Sequence, residues 1–385
     1  MRRYRPDLPG MVFGSVALLA LFGLPFVIEK ANRIVPGVAL PLSQALSGGA
    51  LLLLMAACAV PLLYAALTRR AALRGLAAAV AVVAIAYTLG AAATALSPLD
   101  NHVVRIAPGV GCWLALAAAA LLVIDAVAQL QLPALRRLVL LALALAVLMA
   151  GLVSGHFDHV SMWREYLANA DRFVHECNRH LLLSVGSLVA AVSVGLPLGL
   201  ASFHRPRWRQ AILTALNLVQ TIPSIALYGI LMAPLAALVV AFPSLAALGI
   251  GGIGYAPAFI ALFLYALLPI VANTVLGLLQ VDAAVIEAAR GMGLTAGQVL
   301  VLVRWPLALP TILTGIRVVL VQNIGLAAVA ALVGGGGLGT FIFQGIGQTA
   351  TDLVLLGALP TVALALVAGV VLDALVELLE RRRPA

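Results

Sequence analysis

Residues 50–67 read ALLLLMAACAVPLLYAAL, with no charge anywhere, and residues 138–152 repeat that character as LVLLALALAVLMAGL. A helix needs about 20 apolar residues to cross a hydrocarbon core. Neither run alternates polar with apolar positions, as a barrel strand would. Inside lipid, backbone groups are satisfied only in helices or in a closed barrel, so these runs are helical. Similar runs recur from Met11 almost to the C-terminus.

Composition points the same way. Of 385 residues, 64% are hydrophobic and 10% charged, against roughly 45–50% and 25% in soluble domains. A soluble fold is excluded. Cys58 and Cys112 lie inside apolar runs and Cys177 at the edge of one, which makes neither a disulfide framework nor a metal-ligand spacing. The net charge of +9 sits in short arginine clusters between apolar runs, a topology signal and not a surface for nucleic acid. Arg2, Arg3 and Arg5 precede the run 11–28, but Ile28-Glu29-Lys30-Ala31 offers no small-x-small cleavage site, so the first span is read as uncleaved.

The predicted architecture is an all-α integral membrane protein of ten spans: 11–28, 45–67, 72–96, 107–130, 135–153, 180–201, 211–241, 256–280, 308–333 and 352–378. A cytoplasmic N-terminus puts 16 Lys and Arg residues inside and 6 outside, with Arg317 within a span. Cytoplasmic loops are the ones enriched in Lys and Arg, so both termini are expected in the cytoplasm. The long run 211–241 is read as one crossing broken near Pro223 and Pro234.

Three regions are expected: five helices in 1–155, whose role the residues do not give, a linker over 156–179, and five helices over 180–380. The linker carries His156, Asp158, His159, Arg164, Glu165, Asp171, Arg172, His175 and Glu176. His156 and His159, with His175 and His180, could open a metal site. The mixed charges fit an amphipathic segment on the outer membrane surface better, and no metal is expected.

Residues 282–306 form the longest loop that this topology places in the cytoplasm. Asp282 can cap a short helix, and Gly291 or Gly293 can end it in a left-handed turn. Thr295 with Gln298 matches a capping box for a second short helix leading to Trp305-Pro306. Ala288 and Ala289 offer a small-residue surface and Glu287 a charge, which reads as a docking element.

Glu287-Ala288-Ala289, then Gly293, Val303, Trp305 and Pro306, resemble the EAA loop of ABC-importer permeases. Val303 stands where that pattern has Ile, and Trp305 where it has Leu. Gln220-Thr221-Ile222-Pro223-Ser224, Gly291 to Thr295, Pro306 to Pro310 and Gly334 to Gly339 are similar to the osmoprotectant permeases (glycine betaine, choline, carnitine), over about 178–380. Some longer members of that family look similar in carrying an extra N-terminal membrane region.

The resemblance implies a type I ABC importer transmembrane domain in the cytoplasmic (inner) membrane. Its loop, through Glu287, Ala288, Ala289, Arg290, Gly291, Gly293, Thr295 and Pro306, would seat in a cytoplasmic ATPase subunit. The implied partners are the ATPase subunits, a periplasmic or extracellular substrate-binding protein, a second permease chain, identical or related, and membrane lipid. No nucleic acid and no cofactor are implied. This chain would not be an enzyme: there is no G-x-x-x-x-G-K-[ST], and the only lysine, Lys30, is placed outside.

Gln220, Thr221, Pro223, Asn273, Gln322 and Asn323 are candidate residues of the translocation path, although intramembrane polar groups also serve as bonds between helices. Gly334, Gly337 and Gly339, expected at the outer mouth, are candidates for a gate, with a plain loop as the alternative. Two competing functions stand beside this reading: an ion-coupled secondary transporter, and an importer of another small solute such as an amino acid. The first predicts paired ionisable residues near the midplane. Asp125, Asp373 and Glu377 are read instead as groups snorkelling to the interface.

Overall fold

The computed structural model describes residues 8–33, 35–97 and 103–381. Arg2, Arg3, Arg5, Arg382 and Arg383 of the topology argument lie outside these described residues. The chain divides into two compact units, Met1–Ala168 with Gln348–Asp352 and Asn169–Gly347 with Leu353–Ala385.

The first unit contains α1 (Leu8–Gly23), β1 (Val27–Lys30), β2 (Val38–Leu40), α2 (Leu42–Ala45), α3 (Gly48–Leu67), α4 (Ala71–Leu96), β3 (Arg105–Pro108), α5 (Val110–Leu130), α6 (Ala134–Val153) and α7 (Ser161–Ala168). Small residues set its packing. A Cβ on Gly14 of α1 would lie 2.5 Å from Ala66 Cβ of α3, and one on Gly111 of α5 would lie 2.6 Å from Ala20 O. Such close backbones are how membrane helices gain dispersion contact where lipid offers no hydrophobic drive. Leu21, Leu62, Ile85, Cys112 and Ala119 fill the core between them. By contrast α6 is exposed on every face of its span, and being apolar all round it suits lipid contact.

An antiparallel sheet of order β2-β1-β3 was not expected from the sequence. The predicted spans 11–28 and 107–130 took in only one end of each of the strands Val27–Lys30 and Arg105–Pro108, because four residues are too few to show a period of two. The sheet spends backbone hydrogen bonds at a helix end where no helix continues. Around it Arg33 pairs with Glu165 at 3.1 Å, and Arg164 donates to Val104 O at 3.0 Å and to His159 Nδ1 at 2.9 Å. His156 stacks on Tyr87 and bonds Tyr87 O at 2.7 Å. Among the described residues no three His, Cys, Asp or Glu side chains gather as a metal set.

The second unit contains α8 (Ala170–His204), α9 (Pro206–Thr221), α10 (Ser224–Ala241), α11 (Tyr255–Leu279), α12 (Ala283–Gly291), α13 (Ala296–Gln298), α14 (Trp305–Val329), α15 (Gly339–Gly347) and, from Leu353 onward, α16 (Thr351–Arg381). Its core is α11 between α8 and α14. Gly195 and Gly199 of α8 admit Ile270 and Thr274, Gly277 of α11 admits Ala308, and Gly315 of α14 admits Asn273, all at would-be Cβ distances below 3.0 Å. Ser184, Ser187 and Ser202 turn their hydroxyls back onto carbonyls four residues earlier, which hides polar atoms inside the helix.

Nine helices among the described residues are long and apolar enough to cross a membrane, and α1 is a shorter apolar helix of 16 residues. Several boundaries differ from the sequence reading. Residues 170–179 are the first turns of α8 and not part of a separate linker. The run 211–241 breaks only at Ile222-Pro223, between α9 and α10, whereas Pro234 lies inside α10. The ninth span starts at Ala296, because the chain widens into π-helical turns over Val299–Arg304 and so accommodates Pro306 without a break.

Candidate coupling loop and transport cleft

Two sites in the second unit hold the residues singled out by sequence. The first is the loop between α11 and α14. Asp282 Oδ1 accepts the Ala284 N–H at 2.9 Å and caps α12. Gly293 takes φ +86°, a left-handed turn that a Cβ opposes, while its N–H donates to Arg290 O at 2.9 Å and Leu294 N–H to Ala289 O at 3.2 Å. Thr295 and Gln298 complete the reciprocal capping box, at 2.8 and 3.4 Å.

Ile286, Ala289 and Val299 form a small core with Val281, Leu294 and Val303 around them. Ala289 is 2% exposed and therefore belongs to this core and not to the docking surface in which it was expected. The outward face is Ala284, Glu287, Ala288, Arg290 and Gly291, and it ends on Met292, 75% exposed. Sequence reading passed over Met292, whose soft, flexible side chain suits a protein contact. A Cβ on Gly291 or Gly293 would meet no atom of this chain within 4 Å.

Arg304 joins the loop to the helices. Its Nη1 donates to Leu278 O at 3.0 Å, one of the last carbonyls of α11, and its guanidinium lies 5.0 Å over the Phe203 ring of α8. Trp305, one residue on, packs with Leu278, Ala308, Leu200 and Phe203.

The second site is a cleft of about 290 Å³ lined by Gln220 to Ser224, Tyr265, Gln322 and Leu326. The α9–α10 break creates it. Gln220 Nε2 donates to Tyr265 O at 2.8 Å, Tyr265 Oη donates to Ile222 O, and Thr221 Oγ1 donates to Leu218 O at 2.7 Å. No lining side chain carries a charge.

Gln220, Thr221, Pro223 and Gln322 thus come together. Asn273 and Asn323 stay apart from them. Asn273 bonds Pro269 O at 2.8 Å and packs on Gly315, and Asn323, fully buried, donates to Ser187 Oγ at 2.9 Å. Both join helices.

Gly334 and Gly337 have φ of +77° and +86°, and a Cβ on Gly339 would stand 1.8 Å from Ala328 O. Their loop is held by Glu176 and His180 of α8, the first expected in the linker and the second at the start of the sixth span. Two of the supposed snorkelling carboxylates are also engaged: Asp125 takes the fully buried Arg74 at 2.6 Å, and Asp373 pairs with Arg317. A paired charge in an apolar helix is less costly than a lone one.

Comparison with known proteins follows this geometry. Residues 7–163 match the N-terminal domain of the ABC transporter permease YehY. Residues 191–383 match the binding-protein-dependent transport system inner membrane component. The carnitine transport permease OpuCD of Listeria monocytogenes is 38% identical over 208 residues, 54% of this chain and 86% of that protein. The choline transport permease OpuBD of Bacillus subtilis is 36% identical over 217 residues, covering 56% and 87%. The osmoprotectant import permease OsmW of Salmonella typhimurium is 41% identical over 202 residues, covering 52% and 88%. An inward-facing methionine transporter structure, MetNI, aligns at TM-score 0.47 and 24% identity over 54% of this chain and 95% of that one.

The fold is that of a helical membrane permease. The chain belongs to the family of binding-protein-dependent transport system inner membrane components.

Proposed function

We propose that this chain is the channel-forming subunit of an osmoprotectant importer, powered by an ATPase carried on separate subunits. The observation that carries the reading is the α12 loop: a self-capped helix whose open face of Glu287, Ala288, Arg290, Gly291 and Met292 has no partner within its own chain's core. A glycine inside a helix costs roughly 1 kcal/mol relative to Ala. Gly291 stands at the helix end in open space, which leaves room for another backbone to approach closely. The loop would seat in a cleft of the ATPase, and two permease chains would surround one path, because each ATPase of a pair needs such a helix. A binding protein would deliver the solute at the opposite mouth. Both termini would face the cytoplasm, by the charge bias of the loops.

The names of the relatives supply the solute class: carnitine, choline and osmoprotectants. The cleft is compatible with it. Its amides and hydroxyls, with no charged side chain, suit a small solute that is zwitterionic or weakly hydrated.

One observation favours the competing ion-coupled carrier, the Arg317–Asp373 pair within two spans. The two readings separate in vesicles. Uptake that needs the ATPase and survives collapse of the ion gradients supports the importer; uptake that persists without the ATPase overturns it. The loop itself is tested by co-purification of the ATPase with the natural chain, Gly293→Asp and Glu287→Lys. Loss of ATPase association, with membrane insertion intact, is expected, and an unchanged complex with undiminished uptake would sink the assignment.

A further inference from the structure

Gly334, Gly336 and Gly337 all take positive φ, between +77° and +86°. Successive residues turned this way aim their N–H groups into one concavity, an arrangement that elsewhere binds anions. Here an anion of the chain's own fills it. Gly337 N–H donates to Glu176 Oε2 at 2.6 Å, with Thr340 Oγ1 at 3.5 Å from the same oxygen. One turn along α8, His180 Nδ1 accepts the Leu338 N–H at 3.3 Å. Because Nδ1 accepts, the ring proton sits on Nε2, which donates to Ile324 O of α14 at 3.0 Å. Glu176 is 8% exposed and His180 fully buried. A Cβ on Gly336 would lie 2.9 Å from Glu176 Oε2 and 3.0 Å from Arg179 Nη1, so any side chain there would have to displace the ends of these two, at a φ of +78° that already favours glycine.

The start of the loop is fixed by backbone bonds, Gly335 N–H to Ala330 O at 2.9 Å at its own helix end and Gly254 N–H, just before α11, to Val333 O at 2.7 Å. The following residues, 336–338, depend on two polar side chains of another helix. Bonds concentrated in two groups can release together, and water can take over both partners once the mouth opens. We infer that Glu176 and His180 are the positioning residues of the outer gate: they latch the glycine-rich loop against α8 in the resting state and let go when the path opens outward. This rests on the importer reading, which puts the loop at the outer mouth.

The test uses the complete complex with its ATPase and binding protein in proteoliposomes. Leu338, fully buried beside His180, is replaced in a Cys177→Ser background by Leu338→Cys, and labelling by a membrane-impermeant maleimide from the binding-protein side is timed with and without ATP and binding protein. Labelling should accelerate during turnover. It should already be fast at rest in Glu176→Gln, which keeps an acceptor for Gly337 but loses the charge, and in His180→Ala. Loss of a hydrogen bond to a charged group shifts such an equilibrium by about tenfold or more. Hydrolysis without binding protein should rise by a similar factor in Glu176→Gln, whereas a merely damaged fold would lower stimulated and unstimulated rates together.

A thiol that stays protected throughout turnover of the otherwise natural chain overturns the latch without reference to any latch variant. So does Glu176→Gln with labelling and hydrolysis like those of the natural chain. If the natural chain shows no binding-protein stimulation at all, the importer reading fails, while labelling at rest still reports whether Glu176 holds the loop.

Discussion

The coupling loop and the glycine-rich loop are both short, glycine-containing and joined to α14, yet they are built in opposite ways. The first is self-sufficient: Asp282, Gly293, Thr295 and Gln298 bond within three residues of themselves, and its face stands open. The second is dependent where it turns: the amides of Gly337 and Leu338 are satisfied by Glu176 and His180, 161 and 158 residues away in sequence. A segment that supplies its own bonds can present a surface to another protein. A segment that borrows them changes when the lender moves.

Substitutions break this comparison at graded cost. The largest effect is expected from Gly339→Val, whose Cβ would overlap Ala328 O. Overpacking of this kind costs typically 1–3 kcal/mol and sometimes more, and recovery of folded protein in detergent size-exclusion chromatography should collapse. Gly293→Val comes next, since a β-branched residue at φ +86° is strained by about 1–3 kcal/mol. The strain falls on an exposed loop, so ATPase co-purification should drop while the thermal midpoint of the membrane core holds. Asp282→Ala removes one cap and should weaken α12 by about 1 kcal/mol, visible as faster amide exchange over 283–291 and a modest loss of ATPase affinity. Gln298→Ala removes half of the capping box, with the smallest effect, about 0.5 kcal/mol, confined to exchange at Thr295. If Gln298→Ala proved as damaging as Gly339→Val, the loop would not be the independent element described.

The same contrast explains what the sequence made legible. Helical spans, the cap at Asp282, the capping box and the break at Pro223 are local signals, written within a few residues of the structure they produce. The Gln220–Ser224 motif is a contiguous stretch, and all five of its residues line one cleft. The inward turn of Ala289 needed the knowledge that Val299 folds back on Ile286. The sheet at Val27–Lys30 was hidden because a four-residue strand whose first half is apolar looks like the end of a span. Asn273 and Asn323 carry the composition of path residues, and only their neighbours Gly315 and Ser187 show that they bind helices together. Glu176 falls in a stretch read as a surface linker and His180 at the start of a span, because no periodicity announces that a carboxylate and an imidazole will meet a loop encoded about 160 residues later.

Arg304 gives the loop a mechanical property. Its guanidinium holds the closing carbonyl of α11 and covers Phe203 of α8, while its own backbone continues into α14. Arg304 thus ties the end of α11, α8 and the start of α14 together at one point, so that a displacement of α12 would be shared by three helices, as a lever shares its load at the fulcrum.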